Sequence, residues 1–106
     1  MKEIEFMIYQ NRITKKFFYY PSDRPMTMIV FPTAEETANH CLVKEFPMAV
    51  MYTMFKHGEN FKGIVVHVFQ KKRNWNPFFK KLLVVARLDV AGLEENAPKG
   101  FAKEEK

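Results

Sequence analysis

"NPFFKKLLVVARLDV", residues 76–90, supports two incompatible readings, and the choice between them decides the fold. As a helix, Asn76-Pro77 is a good start, and Phe79, Leu82, Leu83, Ala86 and Val90 form a stripe at helical spacing. As a strand, Leu82, Val84, Ala86, Leu88 and Val90 alternate with Leu83, Val85, Arg87 and Asp89. Branching at Cβ restricts the rotamers of Val84 and Val85 in a helix and suits a pleated surface, so the strand is preferred.

Outward from that segment, "FKGIVVHVFQ" has the β-branched and aromatic content of a preceding strand. At the N-terminus, "KEIEFMIYQ" alternates Ile4, Phe6 and Ile8 with Glu3, Glu5, Met7 and Tyr9, the period of a half-buried strand. Asn11-Arg12 marks a turn into "ITKKFFYY", a second, antiparallel strand, and "PSDRP" breaks the chain before a short third strand, "MTMIVF". Thr33 and Glu36 then match a capping box, and Ala34, Ala38, Cys41, Leu42 and Phe46 share one helical face up to Pro47. "MAVMYTMF", residues 48–55, is ambiguous. Pro47 and Gly58 would bracket a helix, whereas the short length and the Val, Tyr and Thr content suit a strand, and the strand reading is taken. The expected fold is α+β: a mainly antiparallel sheet of five to six strands with one helix at about 33–46, in the order βββαβββ.

At 106 residues the chain fits one domain, expected over 1–93, followed by a mobile charged tail over 94–106. Apolar residues make up 47% and include 11 Phe, which fits a packed globule. No run approaches the ~18 apolar residues of a membrane-spanning helix, so no membrane partner is expected. Glu3 and Glu5 interrupt any signal-peptide core, and a single cysteine makes no internal disulfide, which together suggest a cytoplasmic protein.

Charge is unevenly spread. Residues 1–45 carry six acids and six bases, whereas residues 46–93 carry eight bases against Glu59 and Asp89. Five of the cations fall in "QKKRNWNPFFKK", residues 70–81, beside the only tryptophan. Lys71, Lys72, Arg73, Lys80 and Lys81 suit phosphates, while Trp75 and Phe78 suit stacking on exposed bases. Lys15 and Lys16, with Phe18 and Tyr20, give the first hairpin a similar mixture, and would join this surface if the two hairpins were neighbours. The expected function is therefore that of a small basic binding protein contacting a polyanion such as single-stranded nucleic acid. The alternative is a protein-contact module or homo-oligomer subunit, suggested by seven methionines and many aromatics. Trp75 could equally cover the core edge, and strand-end lysines also guard against edge-to-edge aggregation.

Nothing points to catalysis, a metal or a cofactor. His40 and Cys41 are adjacent on the helix and so do not share a face, while His57 and His67 lie in other elements. The four glycines are unclustered, which excludes a phosphate loop. "KGIVVHVF", residues 62–69, matches the RNA-recognition strand motif only at Lys62, Gly63 and Phe69, and is not taken as that motif.

Overall fold

Strand alternation at the N-terminus meets strand alternation near the C-terminus in the longest pairing of the molecule. In a computed structural model describing residues 2–58 and 64–88, β1 (Lys2–Asn11) runs antiparallel to β5 (Phe79–Leu88), from Lys2 opposite Leu88 to Asn11 opposite Phe79. The strand reading of the decisive segment is thus the observed one. β2 (Phe17–Tyr19) pairs with the other edge of β1, β3 (Ile29–Phe31) with β2, and β4 (Val66–Lys72) with β5. The result is a five-stranded antiparallel sheet in the order β3-β2-β1-β5-β4. The expected tail over 94–106 lies outside the described residues.

Among the described residues two helices, not one, cover one face of this sheet. The first, α1 (Ala34–Glu45), begins as expected: the Glu36 amide donates to Thr33 Oγ1 at 3.2 Å. The Glu36 carboxylate in turn accepts from the Thr33 hydroxyl, also at 3.2 Å. Glu35 and Glu36 stand at the positive end of the helix dipole and Lys44 near its negative end.

The segment read as a strand at 48–55 is instead α2 (Pro47–His57), and the element order becomes βββααββ. Pro47 supplies a preset φ at the start, where its missing amide costs nothing, and Gly58 closes the end at φ 63°. Val50 and Thr53, three positions apart, are the buried pair, a spacing that a strand would send to opposite faces. The Thr53 hydroxyl donates to the Ala49 carbonyl at 2.7 Å, so its burial leaves no orphan. These two end signals and the 3.6-residue period outweigh the β-propensity of Val, Tyr and Thr.

The helix-covered face holds two apolar clusters. Ile4, Leu42, Val50, Val65, Ala86 and Leu88 form one, with Phe6, Phe46 and Ala49 packed against it. Ile8, Tyr19, Ala38, Cys41, Leu82 and Val84 form the other, flanked by Phe17, Phe31 and Phe69. Burying each of the Val, Leu, Ile and Phe side chains among them contributes roughly 1.5–3 kcal/mol, which makes these clusters the main source of stability. Among the described residues no helix is long and apolar enough to cross a membrane.

Candidate nucleic-acid interface

Antiparallel pairing of β1 with β5 has a direct geometric consequence: the β1–β2 turn and the β4–β5 loop emerge at the same end of the sheet. The two hairpins that the sequence leaves unconnected are therefore neighbours. A backbone hydrogen bond from the Arg12 amide to the Phe78 carbonyl, 2.7 Å, joins them. A second bond, from Arg12 Nε to the Asn76 carbonyl at 3.1 Å, spans 64 positions of sequence.

Asparagines hold both tips in shape. In the first, Asn11 Oδ1 accepts from the amides of Ile13 (2.8 Å) and Thr14 (2.9 Å). This side chain imitates a turn backbone, a role suited to Asn. Lys15 there adopts φ 65°, a left-handed conformation that disfavours a long side chain and would suit glycine or asparagine better. In the second tip, Asn74 Nδ2 donates to the Phe79 carbonyl (2.8 Å) and Asn76 Oδ1 accepts from the Phe78 amide (2.8 Å).

This frame presents Trp75 at 97% exposure and Phe78 at 63%. Trp75 therefore does not cover the core edge. Of the adjacent phenylalanines, Phe78 faces solvent and Phe79 packs against Tyr9, with ring centroids 5.2 Å apart. A groove of about 220 Å³ is lined by Arg12, Lys71, Lys72, Arg73, Asn74, Lys80 and Lys81. Lys15 and Lys16 stand on the neighbouring turn, outside the lining. The sequence marks five of these lining residues. It gives no site role to Arg12 or Asn74, whose positions become meaningful only once the hairpins are side by side.

The electrostatics are one-sided. No Asp or Glu occurs within residues 6–22 or 64–88, and among the described residues none of the tip cations forms an ion pair. Lys72 lies directly opposite Lys81 across the β4–β5 ladder. Like charges in that position destabilise a sheet, by a few tenths to about 1 kcal/mol. Protection of a sheet edge accounts for lysines on β4, which is an edge strand, but not for those on β5 or in the β1–β2 turn.

The remaining reactive residues lie apart from this end. Cys41 is buried against the sheet, and burial, with the Glu45 charge, pushes its thiol up to about 12. Tyr19 is raised to about 12, chiefly by burial, so its hydroxyl keeps its proton, and it shares a hydrogen bond with His40 Nδ1 at 2.7 Å. Among the described residues no cluster of His, Cys, Asp or Glu is arranged to hold a metal ion.

His67, on β4, is held below the ordinary imidazole range by burial, with the Glu35 charge opposing, and its Nε2 has no hydrogen-bond partner among the described residues. A His with a lowered folded-state pKa favours the neutral form, so its contribution is complete above the unfolded value of about 6.5 and is lost as pH falls below it. His67→Phe is expected to flatten the decline in Tm between about pH 7 and pH 5. A decline of unchanged steepness would assign the acid sensitivity to another group.

Comparison of the chain with protein-family models, with curated proteins and with solved structures finds no match.

Proposed function

We propose that this protein binds single-stranded nucleic acid at the paired hairpin tips. Phosphates occupy the groove between Lys71, Lys72, Arg73, Lys80 and Lys81, and bases stack on Trp75 and Phe78. The observation that carries this reading is an almost fully exposed tryptophan beside a groove of cations that, among the described residues, no carboxylate neutralises. An exposed indole is costly unless its face is used, and opposed lysines are costly unless an anion lies between them.

Trp75 is the chain's only tryptophan and reports on its own site. Titrating oligo(dT) and oligo(U) at low salt is expected to quench its fluorescence, and added salt to restore it. Absence of quenching with the protein folded would overturn this reading.

A protein-contact role is the second reading, favoured by α2. Its outer face exposes Met48, Met51 and Met54 at helical spacing, with Phe55 90% exposed.

A further inference from the structure

The sheet face turned away from the helices is not the polar surface that strand alternation usually leaves to solvent. It carries a third aromatic group, separate from the two helix-covered clusters. Tyr9 lies 5.5 Å from Phe18, 5.9 Å from Tyr20 and 5.2 Å from Phe79, centroid to centroid. Phe18 is buried beneath its neighbours, while Tyr20 is 41% exposed and offers its ring to solvent.

The ladder registers place this group in line with the cations. Lys72 is opposite Lys81, Lys81 opposite Tyr9, Tyr9 opposite Phe18, and Phe18 opposite Val30. One row thus crosses the whole sheet, from lysine on β4 and β5 to aromatic on β1 and β2. With strands ~4.8 Å apart, the distance from Lys72 to Phe18 is about 14 Å. The same face ends, at the far end of β1, in Glu3 and Glu5, with Arg87 Nε on Glu3 at 3.0 Å. With Arg87 offsetting Glu3 and Glu5 adding a negative charge, that end has none of the cation excess of the tips, so a polyanion that enters at the tips is favoured across the strands over down them.

We infer that the bound strand continues from the hairpin tips across this row, with its phosphates on Lys72 and Lys81 and successive bases on Tyr9 and Tyr20. The inference rests on the proposed function and extends the site from a tip to a path. Stacking on Tyr20 needs no rearrangement of the sheet, because Tyr20 lies just beyond β2 and its ring is already exposed. Each stacked base depends on an aromatic face and not on a particular hydrogen-bond pattern, so the path has little sequence preference.

The test compares a four-nucleotide with a twelve-nucleotide oligo(dT) on wild type, on Tyr20→Ala and on Tyr9→Leu/Tyr20→Leu. Tyr20→Ala is expected to weaken the twelve-mer about tenfold and the double variant further, with the salt slope and four-mer binding at Trp75 unchanged. Tyr20→Ala removes a ring that is 41% exposed but also packs on Tyr9 and Phe18, so a thermal melt accompanies it, and with the protein folded its result stands even if the double variant folds poorly. Twelve-mer affinity equal to wild type in both variants would overturn the path and leave the tip site standing. A dimer that Tyr20→Ala dissociates would also overturn it, by placing a second copy on this face. Failure of wild type to bind either oligomer would overturn the proposed function itself.

Discussion

Replacing Lys71, Lys72 and Arg73 together by alanine is expected to lower affinity for a single-stranded oligonucleotide about a hundredfold near 0.1 M salt. The size follows from counterion release. Each phosphate contact on a single strand contributes about 0.7 to the slope of log K against log salt. Three lost contacts lower the slope by about 2, which amounts to about two decades between 1 M and 0.1 M salt. Both Lys71 and Arg73 are exposed, and removing Lys72 relieves its opposition to Lys81. The variant is therefore expected to melt no lower than wild type while binding far more weakly. Equilibrium titrations at three or more salt concentrations, with a thermal melt of each protein, check both halves. Intact binding would remove the groove as the phosphate site. A loss of affinity at unchanged slope would mean that these cations act on something other than phosphate.

What the sequence makes legible is what is local. Glu3 to Tyr9 alternate plainly, Thr33 and Glu36 mark a helix start, and Val84-Val85 separates strand from helix in the decisive segment. Local signals also conflict, and at α2 the strand signal misleads. Pro47 and Gly58 bracket a helix, but Val50, Tyr52 and Thr53 have strand character, and only the packing of Val50 and Thr53 against the sheet decides between them. The cations at 71–81 are visible because they are contiguous. Arg12 is not, because it reaches that groove only through the β1–β5 ladder, and no short-range pattern encodes a contact 64 positions away. Tyr9 is hidden for the same reason: it reads as one aromatic on the outward side of its own strand, and its grouping with Phe18, Tyr20 and Phe79 depends on sheet order.

The fold that brings these residues together is itself open to a sharp test at two adjacent positions of α1. Leu42 is fully buried within the cluster formed by Ile4, Val50, Ala86 and Leu88, whereas Val43 is 49% exposed. Leu42→Ala is expected to cost about 3 kcal/mol, combining lost transfer free energy with the cavity left behind. For a domain of this size that lowers Tm by well over ~10 °C. Val43→Ala removes atoms from a largely solvated side chain and is expected to stay within about 0.5 kcal/mol. The contrast depends on the rotational setting of α1, because adjacent helical residues point ~100° apart. Equal costs at the two positions, or a larger cost at Val43, would mean that α1 presents a different face to the sheet. Ile4 and Ala86, which pack with Leu42, are paired on the β1–β5 ladder whose other end carries the tips. Leu42→Ala therefore weakens the ladder's support without touching a tip residue. Its folded fraction is expected to bind oligonucleotide as wild type does, the converse of the Lys71/Lys72/Arg73 variant, which folds and fails to bind.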